Sequence, residues 1–272
     1  MSTVASIKPP RIQALARASA IIDVIAAAGE DGASLSEISK TTTLNKTTAF
    51  NLVASLVALR FVEQDAQTRR YRLGLRNLEL GRLVQQRLRI SHLARPILAD
   101  LCRKTNETVN LGLSDLLDLL VIDSFQGSRI LHARANAGWR SMYHCTALGK
   151  AFMTAWDEPM RHTIYSSRGL PELTPKTITS VDELEAQLVL FREQGYSTDV
   201  EENEIGVNGI ARWIRDGLGE VAAAVSVAGH SSRMTPETME RIAPDVIAAA
   251  NAIGAAIGGA GANQSQGTKG QR

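Results

Sequence analysis

Apolar residues recur at helical spacing three times between residues 11 and 60, then give way to two short strand-like runs. Ile12, Leu15, Ser19, Ile22 and Ile25 share one face of a predicted helix from Arg11 to Ala28, which Gly29 stops. Leu35 and Ile38 belong to a short amphipathic helix begun by Ser34 or Ser36, with Glu37 in its first turn and Thr41 to Leu44 as the turn that follows. Asn45 then caps a third helix in which Ala49, Leu52, Val53, Leu56 and Leu59 form an inward stripe. The opposite face carries Lys46, Thr47, Thr48, Asn51 and Ser55, short donors and acceptors with one cation and no carboxylate, so a polyanion can approach it closely. Phe61 to Gln64 and Tyr71 to Leu73 read as strands around the polar turn Asp65-Ala66-Gln67-Thr68, and such a hairpin holds Arg69, Arg70 and Arg72 beside a phosphate backbone. Residues 11–75 therefore spell a winged helix-turn-helix that binds DNA, an architecture that protein-binding modules share.

Helical spacing resumes over residues 76–91, where Leu80, Leu83, Val84 and Leu88 form an apolar stripe among arginines and glutamines. This linker helix must pack back onto a domain or pair with a second chain. Pro96 is placed to open another helix, Ile97 to Lys104, with Ile97, Leu98 and Leu101 inward. Beyond residue 105 the pattern changes to strands: Val109 to Leu113, Leu119 to Asp123 and Arg129 to Ala133, with Gly209 to Ile214 and Val221 to Ala228 flanking the turn Arg215-Asp216-Gly217. Helices are predicted at Thr146 to Trp156, Val181 to Gln194 and Pro236 to Ile257, so residues 92–258 make an α+β domain, an antiparallel sheet with flanking helices. Residues 1–10 and the Gly-, Ala-, Gln- and Ser-rich stretch 259–272 read as disordered tails.

Composition narrows the chemistry. With 272 residues, 44% of them hydrophobic, the chain can bury a sizeable core, and a net charge of only +2 makes any nucleic-acid site a local patch. That patch has a place: Arg60, Arg69, Arg70, Arg72, Arg76, Arg82, Arg87, Arg89 and Arg95 outnumber Glu63, Asp65 and Glu79 next to the hairpin. No basic-then-apolar leader opens the sequence, no run approaches the roughly 18 apolar residues of a membrane span, and Cys102 and Cys145 are the only cysteines, so a reduced, cytoplasmic protein without a membrane, metal or cofactor requirement is expected. Catalysis is disfavoured as well. His144, Cys145 and Lys150 lack an orienting third group, Lys150 reads as a helix-surface cation, and the adjacent Glu201 and Glu202 point to opposite faces.

The strings Leu44-Asn45-Lys46-Thr47-Thr48-Ala49-Phe50, Tyr71-Arg72-Leu73-Gly74, Leu93-Ala94-Arg95-Pro96 and His144-Cys145-Thr146-Ala147-Leu148-Gly149-Lys150-Ala151 stand in this order. With Gly195-Tyr196, Glu201, Glu202, Gly206 and Val225-Ser226-Val227-Ala228-Gly229, they resemble the IclR family of bacterial transcription regulators over roughly residues 11–258. The resemblance implies a GAF-like effector-binding domain behind the linker helix. It also implies a homodimer or homotetramer on a palindromic double-stranded DNA operator, a small-molecule effector, often a carboxylate or aromatic acid of a catabolic pathway, and no enzymatic activity. Activator and repressor are not distinguished. Consistent with an anionic effector, Thr146 can cap a helix whose Ala147, Leu148 and Gly149 amides face outward at the positive end of the dipole. Asp199 and Ser226 match positions that the resemblance places around the effector, and Trp139, Met142 and Tyr143 are candidates to wall an aromatic ligand. The chain also departs from the pattern. Gly209 and Ala228 replace more polar residues and suggest a roomier pocket for an effector larger than the smallest keto acids; Met142 and Trp213 stand where proline is common; Asn51 stands where arginine is frequent.

Overall fold

The computed structural model describes residues 10–129 and 137–265. The chain divides into two compact units, one ending at Arg87 and the other beginning at Leu88.

In the first unit, helices α1 (Gln13–Ala27), α2 (Leu35–Thr41) and α3 (Lys46–Ala58) precede a hairpin of β1 (Val62–Gln64) and β2 (Tyr71–Leu73), and α4 (Arg76–Arg87) follows. Ser34 is the residue that starts α2: its hydroxyl accepts from the Glu37 amide at 3.2 Å, while Glu37 Oε2 accepts from the Ser34 amide at 2.7 Å. This reciprocal capping box satisfies two amides that the helix itself leaves open. Asn45 Oδ1 does the same for α3, accepting from the Thr48 amide at 2.8 Å. The core gathers Ile21, Ile25, Ile38, Val53, Leu56, Val62 and Tyr71. The inward face of α1 is the row Ala18, Ile21, Ile22 and Ile25, and the expected members Ile12, Leu15 and Ser19 are exposed. Ile12 precedes the first helical residue, and burial follows the four-residue row that meets α2 and α3. Leu59 is likewise exposed, because it caps α3 beyond its last turn. Along α4 and at the residue before it, Leu75, Leu78, Leu80, Leu83 and Val84 are exposed, with Leu80, Leu83 and Val84 on one side of the helix.

The second unit opens with α5 (Arg89–Thr105) and continues through β3 (Thr108–Asp115), β4 (Asp118–Phe125), β5 (Arg140–Ser141), α6 (Ala147–Ala155), α7 (Glu158–Arg168), α8 (Val181–Gln194), β6 (Ser197–Val200), β7 (Val207–Arg215), β8 (Val221–His230) and α9 (Pro236–Ser265). The strands form one antiparallel sheet in the order β5-β4-β3-β8-β7-β6. Alternation along the strands feeds two cores. Val109, Leu111, Ile210, Ile214, Val225 and Val227 pack with α5 and α9 on one face, while Ala211, Trp213 and Ala224 pack with α6, α7 and α8 on the other. A slip of one residue in β7 would exchange the two sets, so its register is tightly specified.

Several elements differ from the sequence expectation. The helix of the linker ends at Arg87, Leu88 leaves helical backbone with ψ 76°, and the next helix starts at Arg89 rather than at Pro96. Pro96 sits inside α5 on its exposed side, where water can satisfy the carbonyl it leaves unbonded, while Ser91, Ala94, Leu98, Leu101 and Cys102 bury the opposite stripe. Three elements are additional: α7, capped by Asp157 Oδ1 on the Met160 amide at 3.1 Å with Pro159 in its first turn, and the short edge strands β5 and β6. The closing helix runs to Ser265, through the small residues read as the start of a disordered tail. Apart from Arg129, the strand expected at 129–133 lies outside the described residues, as do 1–9 and 266–272 of the two tails. No helix among the described residues is long and apolar enough to cross a membrane.

Candidate nucleic-acid interface and effector pocket

On α3 the side chains of Lys46, Thr47, Asn51 and Ser55 are exposed, with the cap Asn45 at their head; Thr48 is half-buried beneath them. Ser55 donates its hydroxyl back to the Asn51 carbonyl at 2.8 Å and retains its acceptor lone pairs outward. The hairpin turn is organised by Asp65, whose Oδ1 accepts from the Gln67 amide at 3.0 Å and the Thr68 amide at 2.8 Å. These bonds, those of Thr68 foremost, hold the Asp65 carboxyl below its usual range. Arg69 lies exposed at the tip with φ +59°, and Arg72 is half-buried with Nη1 3.4 Å from Asp65 Oδ2. Arg70 departs from its two neighbours. Its guanidinium turns inward and donates to Asp31 O at 3.0 Å, Gly32 O at 2.9 Å and Glu37 Oε2 at 2.8 Å. Hydrogen bonds from the Ser34 backbone and side chain and from Arg70 pull the Glu37 carboxyl down to about 2.

The second unit holds a cavity of about 70 Å³ between the sheet and the first turn of α6. Sheet register builds its floor: Asp199, Gly209 and Ala228 align in one row across β6, β7 and β8, and Asn110 and Ser226 pair in the next. Of the effector-site candidates read from the sequence, Ala147, Leu148, Asp199, Ser226 and Trp139 line the cavity. Met142, Tyr143 and Gly149 do not. Thr146 Oγ1 caps α6 by accepting from the Gly149 amide at 3.0 Å, so that amide is not available, and of the first-turn donors only those of Ala147 and Leu148 go uncapped. Gly149 is a packing residue: a Cβ there would lie 2.4 Å from the Tyr143 carbonyl oxygen. Tyr143 is 1% exposed, stacks edge-on against Phe152 and Trp156, and donates its hydroxyl to Asp118 O at 2.6 Å. Burial pushes its phenol up to about 12. Met142 is half-buried, and its carbonyl accepts from Thr146 Oγ1 at 3.2 Å.

Small residues at 209 and 228 do not open a large chamber. A Cβ on Gly209 would stand 3.4 Å from the Ala147 methyl, so α6 already closes onto that row, and the cavity is well below the roughly 300–1,000 Å³ of common ligand pockets. Trp213 is part of the core against α6 and α8 and does not wall the cavity. Sequence reasoning missed Asn110, Asn203 and Glu204, which reach the cavity. The signal for Asn110 was a lone amide between Val109 and Leu111, buried on both sides; its Oδ1 accepts from Ser124 Oγ at 2.8 Å.

Behind the cavity lies buried charge. Asp199 is 6% exposed and accepts from the Glu202 amide at 2.8 Å; burial raises its carboxyl to about 7, against the opposing pull of Lys150. Lys150 is not a surface cation. The ring of elements around α6 buries every position from Ala147 to Thr154, and Lys150 Nζ donates to Glu202 Oε1 at 2.6 Å and Gln187 Oε1 at 2.8 Å. The two adjacent glutamates do diverge: Glu202 turns in, while Glu201 pairs with Lys176 outside. Burial foremost, then Asp199 and Glu202, pushes the Cys145 thiol up to about 12 and disfavours its thiolate.

Two family models match the chain: the IclR helix-turn-helix domain over residues 14–66 and the bacterial transcriptional regulator IclR C-terminal domain over residues 83–255. The chain is 32% identical to the HTH-type transcriptional repressor AllR of Escherichia coli, covering 83% of both chains. It is 29% identical to the HTH-type transcriptional regulator XynR of Escherichia coli, over 92% of this chain and 98% of that one. Among solved structures, that of the Thermotoga maritima IclR superposes with a TM-score of 0.71 at 29% identity, covering 90% of this chain and 99% of that one. The chain belongs to the IclR family of bacterial transcription regulators, DNA-binding proteins and not enzymes.

Proposed function

We propose that this regulator controls a catabolic operon in the cytoplasm by binding a palindromic operator as a homodimer or homotetramer, and that a small aliphatic carboxylate modulates the binding. The observation that carries the reading is the outward face of α3, where Lys46, Thr47, Asn51 and Ser55 stand exposed without a carboxylate among them. In a dimer two such helices enter successive major grooves about 34 Å apart. Asn51 reads a base edge, with adenine the best bidentate partner, and Arg69 and Arg72 approach phosphates.

The effector sits in the cavity beside α6. The Ala147 and Leu148 amides and the helix dipole take its carboxylate, and Asn110, Ser226 and Asp199 take a hydroxyl or keto oxygen. A volume of about 70 Å³ favours an acid of a few carbons over an aromatic one. Coupling of about 1–3 kcal/mol between the two sites gives a change in operator affinity of roughly 5- to 150-fold.

Titration of the full-length protein against the intergenic DNA upstream of its own gene, at two salt concentrations and with a panel of aliphatic and aromatic acids, tests this. Saturable, salt-sensitive binding shifted by one short acid is expected. Lys46→Ala and Asn51→Ala should weaken operator binding and leave acid binding intact; unchanged operator affinity in both would remove α3 from the interface.

A further inference from the structure

We infer that Arg70 is a positioning residue that locks the hairpin to the start of α2, leaving the phosphate contacts of the hairpin to Arg69 and Arg72. The inference rests on the DNA-binding reading of the first unit and refines which cations of the hairpin meet DNA. Arg70 commits Nε and Nη2 to three acceptors on the other side of the unit: Asp31 O at 3.0 Å, Gly32 O at 3.1 Å from Nε and 2.9 Å from Nη2, and Glu37 Oε2 at 2.8 Å. Among the described residues Arg69 is exposed with no side-chain bond, and Arg72 has one long contact, Nη1 to Asp65 Oδ2 at 3.4 Å, against the four bonds of Arg70.

The same junction is reinforced through the backbone. The Ala33 amide donates to Tyr71 O at 2.9 Å and the Tyr71 amide to Ala33 O at 2.8 Å, so the segment before α2 pairs with β2. Gly32 allows the close approach: a Cβ there would lie 2.6 Å from Tyr71 O. Glu37 serves both sides of the joint, since one carboxylate oxygen receives the Ser34 amide that starts α2 and the guanidinium that ends the hairpin. A planar, forked donor on two carbonyls and a carboxylate holds an angle as well as a distance, which an ammonium would not. In a helix-turn-helix the first helix of the pair crosses the DNA backbone. Fixing the hairpin to α2 therefore fixes where Arg69 and Arg72 fall relative to the recognition helix.

The two roles of Arg70 predict opposite effects for a neutral Glu37. Glu37→Gln keeps the capping box, because glutamine serves as well there, but removes the charge that holds Arg70. If Arg70 positions the hairpin, Glu37→Gln and Arg70→Ala each weaken binding to a mixed-sequence duplex about 3- to 10-fold, and the double variant is no worse than the weaker single one. Hydrogen exchange at the Tyr71 amide rises in both, exchange in α1 and α3 stays at the wild-type rate, and Arg70→Lys does not restore binding. If Arg70 contacts phosphate instead, Glu37→Gln frees a cation, deletes a repulsive charge and tightens binding. Arg70→Ala then lowers the salt slope by about 0.9, as one lost phosphate contact does. Tighter binding by Glu37→Gln, or Tyr71 exchange unchanged in both single variants, overturns the inference. Absence of salt-sensitive duplex binding by the wild type would count against the DNA reading itself, and the exchange measurement still decides whether Arg70 holds the hairpin.

Discussion

Lys150 and Glu202 meet at 2.6 Å inside the second unit, with 0% and 6% of their side chains exposed. The pair joins α6, whose first turn lines the cavity, to the loop after β6 that brings Asn203 and Glu204 to the same cavity. Gln187 of α8 completes the partners of the ammonium, while Glu202 Oε2 has no hydrogen-bond partner among the described residues. The pocket wall is thus held by charge that has been taken out of water.

Breaking that pair on one side should be costly. Lys150→Met leaves Glu202 buried without a counter-charge and should lower unfolding free energy by about 3–5 kcal/mol, whereas Lys150→Met with Glu202→Leu should recover most of the loss. Urea unfolding of the three proteins checks this; a single variant as stable as the wild type would refute it.

Asp199 should make stability depend on pH. Its carboxyl stands at about 7 in the folded protein against 3.8 for an ordinary aspartate. The folded chain therefore binds this proton more tightly than the unfolded chain does. The contribution is fully present below pH 3.8 and is lost as pH rises through about 7. Asp199→Asn should flatten that decline and exceed the wild type in melting temperature at pH 8. A wild-type and variant pair with parallel pH profiles would show that Asp199 ionises normally.

Gly149 admits no side chain without movement of the segment before α6. Gly149→Ala should lose about 1–3 kcal/mol through overpacking against the Tyr143 backbone, and Thr146→Ala about 0.5–2 kcal/mol through the lost cap. Both should weaken acid binding, because each displaces the turn that carries the Ala147 and Leu148 amides. Calorimetric titration with the acid identified from the panel reads the effect, and unaltered affinity in both variants would separate α6 from the effector.

Asn51 should govern base choice rather than overall affinity for DNA. Asn51→Ala should lose about 1–3 kcal/mol of discrimination at one base pair per half-site, with little change in the salt slope. Selection from a randomised duplex pool gives the comparison; identical consensus sequences from the variant and the wild type would place Asn51 off the bases.

The first unit was readable because its signals are local. Caps at Ser34 and Asn45 and the turn at Asp65 specify their own neighbourhoods, so α2, α3 and the hairpin followed from short windows. The face of α1 did not follow, since which of two overlapping apolar rows turns inward depends on the helix it meets. The fate of Arg70 was hidden for the same reason: its carboxylate partner is 33 residues away in sequence. In the second unit the alternation of β3, β7 and β8 announced a sheet, but the cavity depends on register. Asn110 faces Ser226, and Asp199 lines up with Gly209 and Ala228, only once the strands are paired. Lys150 misled for a physical reason. A lysine beside apolar residues is ordinarily a surface cation, and nothing in its own helix discloses that Glu202, from a loop 52 residues on, receives it.

Leu75, Leu78, Leu80, Leu83 and Val84, exposed along α4 and just before it, tie the proposed self-association to gene dosage. If the proposed homo-oligomer covers them, a protomer made below its dissociation threshold offers five apolar side chains to chaperones and proteases. Expression level would then set how long the unassembled chain survives, before any operator or effector is met.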